Sequence, residues 1–230
     1  ESVRGGSWRR LWLSCSIRID VAESRSSWTW TRSPSVDLRI GAKRLRMSAK
    51  KASSKAEAGK AAPLEQIRTV GDPVLRQQTK SVTVFDSRLK KLAQVMTEVM
   101  VRGEGVGLAA NQIGVVSRVM VWRNPGVEEE QYAWVNPVIV EESEARCTES
   151  EGCLSVPGAT MEVSRAEEVV VECQDVTGEP LRVRLAGLPA RIAQHEIDHL
   201  DGRLILDRTS PEERRRVMKE LREQALAVET

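Results

Sequence analysis

Aromatic side chains are scarce in this 230-residue chain, where six Trp, one Tyr and one Phe make up 3% of the residues. A core must therefore rest on Val, Leu, Ile, Met and Ala. Long apolar runs are also missing: none approaches the roughly 18 residues of a membrane-spanning helix, and no membrane partner is expected. The best leader-like stretch, Arg9-Arg10-Leu11-Trp12-Leu13-Ser14-Cys15, has too short an apolar centre to serve as the hydrophobic region of a secretory signal. Four cysteines (Cys15, Cys147, Cys153, Cys173) at irregular spacing give no disulfide framework. They fit a reducing interior in which thiols are free for metal or chemistry. Histidine is all but absent, and its two copies, His195 and His199, stand four residues apart.

Net charge is only +2, but it is unevenly placed. Residues 1–46 carry ten Lys/Arg against four Asp/Glu, and residues 47–230 carry 25 against 29. The body thus lacks a nucleic-acid footprint, and no specific DNA partner is expected. Residues 1–46 also hold four of the six Trp and nine Ser, without helix or strand period. Met47-Ser48-Ala49-Lys50-Lys51 reads as a translation start. Residues 1–46 are accordingly expected to be an extension outside the native protein, or else an Arg- and Ser-rich targeting segment. A cytoplasmic location is expected, and an organellar one if that segment is a real transit peptide. Residues 47–63, rich in Ala and Lys, are expected to form a disordered tail. A single catalytic domain is expected over residues 64–230.

Within that domain, Gly71-Asp72-Pro73 marks a turn. Asp86 or Ser87 can cap a helix with Leu89, Leu92, Val95, Met96, Val99 and Met100 on one side, ending at Gly103. A glycine-rich stretch, residues 105–114, follows. Residues 118–122, 131–140 and 169–173 are Val-rich with polar alternation and predict strands, separated by turns at Asn124-Pro125-Gly126 and Thr177-Gly178. Gly187-Leu188-Pro189 opens a second helix, closed by Asp201-Gly202. Ser210-Pro211-Glu212-Glu213 caps a last one, running from Arg214 to about Gln224. This order predicts an α+β fold: short antiparallel β-sheets packed around a central metal-binding helix, with an N-terminal and a C-terminal helix.

The chemistry centres on His195-Glu196-Ile197-Asp198-His199. On a helix, positions i and i+4 share a face, which suits two imidazoles on one metal ion, with Glu196 beside them as a base that is not a ligand. A catalytic site with an open position needs one more protein ligand. Cys153, in Glu151-Gly152-Cys153-Leu154-Ser155, is one candidate. Glu220 is the other, although it sits on the polar stripe of a Lys/Arg-rich helix, where it would serve as a partner of Arg216. The stretch 105–110 formally fits a dinucleotide-binding pattern, but a helix precedes it and β structure follows, so that reading is rejected. Its glycines instead let backbone approach a substrate, and Gln112 offers an amide donor.

Three segments taken together carry a resemblance. Residues 105–112 read G-x-G-x-A-A-x-Q, residues 151–155 read E-G-C-L-S, and residues 194–199 read Q-H-E-x-D-H. All three resemble the signature motifs of the peptide deformylases, in the family's order and without a substitution. The similarity covers roughly residues 64 to 225. It implies a metal-dependent hydrolase that removes the formyl group from the N-terminal formyl-methionine of new polypeptides and releases formate. Cys153, His195 and His199 would be metal ligands, and Glu196 would activate the metal-bound water that attacks the formyl carbon. Gln112 and the Leu154 amide would stabilise the oxyanion. The implied metal is Fe(II), one per chain, with Zn, Ni or Co able to replace it. Gly107 and Gly152 would leave backbone open near the substrate, and Val106, Leu188 and Ile192 would wall a pocket for the methionine side chain, Leu188 and Ile192 falling on the ligand face of the helix. Formyl-methionyl nascent peptides are the expected partners, with the ribosome reached through the basic C-terminal helix at residues 214–216. Two rival readings make other demands: a zinc endopeptidase needs a ligand downstream of His199, and a ribosome-associated protein with a structural metal needs a fourth ligand.

Overall fold

The structure, a computed structural model, describes residues 20–21, 67–124 and 130–228. The expected tail at 47–63, all but Asp20–Val21 of the expected extension at 1–46, and the turn residues Pro125 and Gly126 lie outside the described residues.

Helix α1 spans Ser87–Arg102, and Asp86 caps it by accepting from Arg88 N (2.9 Å) and Leu89 N (3.2 Å). Such a cap is worth about 1 kcal/mol. The strands are β1 (Asp20–Val21), β2 (Gly107–Ala109), β3 (Val119–Arg123), β4 (Gln131–Glu142), β5 (Arg146–Cys153), β6 (Val156–Ala166), β7 (Glu168–Gln174) and β8 (Pro180–Ala186). Helix α2 runs Leu188–Leu200 and α3 runs Pro211–Val228. The fold is α+β with antiparallel pairing throughout its strands, as the sequence predicts.

Two sheets form. One has six strands in the order β1-β8-β7-β4-β3-β2, and the other is the separate hairpin β5-β6. Strand β3 shows why the large sheet sits where it does. Val119 and Val121 belong to the apolar cluster shared with Leu89, Met96, Val99 and Met100 of α1. Met120 and Trp122 belong to the cluster shared with Ala190, Ile192, Ala193, Ile197 and Leu200 of α2. Side chains alternate across a strand, so a strand covered on both faces has to be apolar at consecutive positions. A third cluster joins Met161 and Val163 of β6 to Leu204, Ile205, Leu206 and, from α3, Val217. The large sheet is thus clasped between α1 and α2, while the hairpin is pinned from the side of α3.

The structure corrects several expectations. The glycine-rich stretch is not all loop: Gly107–Ala109 pairs with β3, and Ala110–Ile113 forms a 3-10 turn. Cys153 is the last residue of strand β5. Strands β5, β6 and β8 have no counterpart in the expected set. In β5 the exposed positions are Arg146, Thr148, Ser150 and Gly152 and the inward-facing ones include Glu149 and Glu151, so neither face gives the Val-rich run that marks the other strands. Helix α3 extends to Val228, past the expected end near Gln224.

Candidate functional site

Helix α2 supplies most of the site. Pro189 lies in its first turn, where its missing N–H costs no helical hydrogen bond. Eleven of its thirteen residues are buried, including the polar Arg191, Gln194, Glu196, Asp198 and His199. A helix buried this completely needs partners for most of its polar groups, and those partners, with the few atoms left without one, define the site.

His195 and His199 stack along one face of α2, with ring centroids 5.0 Å apart. Cys153, at the end of β5, brings its Sγ to 3.2 Å from His199 Nε2. One donor atom from each of Cys153, His195 and His199 lies within 4.8 Å of the others. A thiolate and two imidazoles in that space match the donor set of a divalent transition metal with one position left open. Glu220 is elsewhere: its Oε1 accepts from Arg216 Nη1 at 2.8 Å on exposed α3.

The imidazoles differ behind the donor atoms. His195 Nδ1 is 3.0 Å from Glu151 Oε2. A carboxylate can only accept, so Nδ1 carries a proton toward Glu151, and Nε2 is the ring atom left to serve as a ligand. His199 Nδ1 is buried and has no hydrogen-bond partner among the described residues. Burial pulls the His195 pKa down, but hydrogen bonds to Cys153 and Glu151 outweigh it and hold the value well above the ordinary one. Burial, reinforced by the charges of His195 and Arg165, keeps His199 well below it, as a neutral ligand requires.

Glu196 is 4% exposed, and its Oε2 has no hydrogen-bond partner among the described residues. Burial raises its pKa to about 7, against the opposing pull of His195. A carboxyl group poised there can both take and return a proton near neutral pH. Space for it comes from Gly107, where an added Cβ would fall 2.3 Å from Glu196 Oε1. The absence of a side chain at Gly107 is therefore what leaves room for the Glu196 carboxyl group.

Gln112 is held by its own turn. Its Oε1 accepts from Ala109 N at 2.8 Å, which turns the amide NH2 toward Ser155 Oγ (3.2 Å) and Cys153 Sγ (3.8 Å). Leu154 follows Cys153 in the turn between β5 and β6, and its side chain packs beside Gly103 and Gly105. Gly152 is exposed next to Cys153. Val106, Leu188 and Ile192 join a single apolar cluster, with Ile192 buried in it and the other two half-buried at its edge.

Motif letters without an assigned role turn out to be heavily used. Glu151 accepts from His195, from Arg165 and from Arg191 Nη1 (2.7 Å). Asp198 accepts from Arg165 and from Arg208 Nε (3.0 Å). Asn111 donates to the His199 carbonyl at 2.5 Å. Glu151 and Asp198 could have been suspected as the acidic letters of their motifs, whereas nothing local marks Arg165 or Arg191 in the sequence.

Comparison with known proteins agrees with this geometry. The family model described as polypeptide deformylase matches residues 64–215. A peptide deformylase from Dictyoglomus thermophilum is 45% identical over 149 residues, covering 65% of this chain and 95% of the relative. A rice protein named peptide deformylase 1B, chloroplastic, is 44% identical over 60% of this chain and 52% of its own. The crystal structure of a peptide deformylase from Legionella pneumophila superposes with a TM-score of 0.64 at 43% identity, covering 69% of this chain and 96% of that one.

Proposed function

Since the chain belongs to the polypeptide deformylase family, we propose that it removes the formyl group from N-terminal formyl-methionine of new polypeptides by metal-assisted hydrolysis, in the cytoplasm. One observation carries the metal part: Cys153, His195 and His199 converge from two separate elements beside buried Glu196, whose Oε2 has no hydrogen-bond partner among the described residues.

Cys153, His195 and His199 would hold the ion, Fe(II) in the native enzyme and Zn, Ni or Co by exchange. When bound, a divalent metal supplies Lewis acidity to the water and to the formyl oxygen. Glu196 takes the proton of the attacking water and returns it to the leaving amine, which leaves formate and a free N-terminus. The Gln112 amide and the Leu154 N–H donate to the oxygen on which charge develops. Val106, Leu188 and Ile192 receive the methionine side chain, with Gly107 and Gly152 leaving room for the peptide. On α3, Arg214, Arg215 and Arg216 are exposed, and we assign this basic surface the contact with the ribosome.

The test is formate release from formyl-Met-Ala-Ser by protein with a measured metal content. Release that tracks occupancy of one ion per chain supports the reading. Absence of release from a chain carrying one Fe(II) or Ni(II) overturns it. Cleavage of internal peptide bonds instead would favour an endopeptidase.

A further inference from the structure

The ligands come from two bodies that no backbone ladder joins. Cys153 ends the β5-β6 hairpin, which forms a sheet of its own, and the histidines lie on α2. The spacing of thiolate and imidazoles is therefore set by side chains between hairpin and helix. Three motif residues without a chemical step, Glu151, Gln194 and Asp198, meet at one place on β6, the dipeptide Arg165-Ala166. Arg165 Nε and Nη2 donate to the two oxygens of Glu151 at 2.9 and 3.0 Å. Its Nη1 donates to Asp198 Oδ2 on α2. Gln194 accepts from Ala166 N (3.0 Å) and donates to Ala166 O (2.9 Å).

We propose that Arg165 is a positioning residue for the metal site: a brace that fixes the Cys153 hairpin against the histidine helix and holds the carboxylate behind His195. This rests on reading the site as a metal site. All three guanidinium nitrogens are engaged, and the side chain is 4% exposed. One planar fork spans two carboxylates, one bonded to a ligand histidine and the other one residue before the second ligand. The link runs Asp198–Arg165–Glu151–His195, from α2 across both hairpin strands and back to α2. A lysine is a point donor on a flexible stem and cannot hold both carboxylates in this geometry. Arg191 secures Glu151 from the helix side and reaches the hairpin at Val163 O (3.0 Å) and Cys147 O (2.8 Å). Among the described residues Arg191 makes no hydrogen bond or ion pair with Asp198, and there only Arg165 bonds to both acids.

A residue that merely stabilised the fold would shift unfolding and leave the ion's release unchanged, which separates the two roles. The full chain, Arg165→Lys, Arg165→Met and the control Arg208→Met are loaded with Co(II). Chelator-driven loss and the visible Co(II)–thiolate absorption are then followed, with circular dichroism reporting the fold. Arg208 contacts Asp198 but makes no contact with Glu151. Arg165→Lys should release Co(II) about tenfold faster with a shifted spectrum, and Arg165→Met up to about 100-fold faster, the range seen when a ligand loses the groups that orient it. Arg208→Met should stay within about twofold of the unaltered chain. Should Arg165→Met fail to fold, Arg165→Lys decides. A folded Arg165→Lys with unaltered release and spectrum overturns the brace alone. An unaltered chain that takes up no Co(II) overturns the metal reading and the brace with it.

Discussion

Helices α2 and α3 are made of similar materials and live in opposite media. Each places Arg and Glu or Asp within reach of one another. On α3, Arg216 pairs with Glu213 (2.6 Å) and Glu220 (2.8 Å), and the three side chains are 49%, 28% and 43% exposed. On α2, Asp198 meets Arg165 with side chains 7% and 4% exposed. Exposed pairs are screened and mobile and contribute little. Opening a buried pair strands a charge in a poorly polar interior and costs about 3–5 kcal/mol. The same chemistry is thus solvation on α3 and architecture on α2, and the site was built where water is excluded.

This contrast can be broken first at the ligands. Cys153→Ala or His199→Ala removes one of the proposed ligand atoms, so metal content and formate release should both fall to background in metal analysis and activity assay. Glu196→Gln comes next. The amide is nearly isosteric but cannot shuttle a proton, so kcat should drop at least about 10²-fold while one metal per chain remains. Normal turnover by this variant would mean that another group is the base.

A smaller effect is expected from Gly107→Ala. The new methyl group would collide with Glu196 Oε1, so the carboxylate must shift. We expect kcat to fall about tenfold, in the range of a misplaced acid/base group, with metal content and the circular dichroism spectrum unaltered. A full-rate Gly107→Ala enzyme would show that Glu196 tolerates displacement.

Acid should separate the two helices without any mutation. Burial pushes the Glu151 pKa up, but bonds from His195 and Arg165 outweigh it and hold it well below the usual carboxylate value. Asp198 is likewise depressed, with Arg208 and Arg165 overcoming burial. A depressed carboxylate stabilises the fold fully above its unfolded pKa of about 4, and that stability is lost as pH falls toward the folded value. The urea midpoint should therefore hold from neutral pH to about 5 and decline below about 4, and Glu151→Gln should flatten the decline. Least of all, Arg216→Ala on α3 should leave the melting temperature and formate release within error of the unaltered chain.

Much of this was legible in the residues. The caps at Asp86 and Asp201, Pro189 in the first turn of α2, and the four-residue spacing of the histidines are local signals, and α1 and α2 lie where those signals place them. The α+β class follows from the order of apolar periods. Strand β5 is hidden because its inward face carries Glu149 and Glu151, and β8 because Arg182 and Arg184 alternate with Val183 and Leu185; apolar pattern alone cannot tell such strands from polar loops. Cys153 and Glu220 are rival third ligands on residue type; the polar stripe of its helix counts against Glu220, and the motif trio then favours the thiol.

What the chain determines by itself is everything encoded over a few consecutive residues: helix starts and stops, the shared face of His195 and His199, and the donor types available to a metal. Tertiary structure alone decided the rest. It brought Cys153 to the histidines from a separate hairpin, set Gly107 against Glu196, and joined Glu151 to Asp198 through Arg165. Those choices depend on burial and on contacts between residues tens of positions apart, where the cost of an unpaired buried charge, and not local propensity, selects the partner.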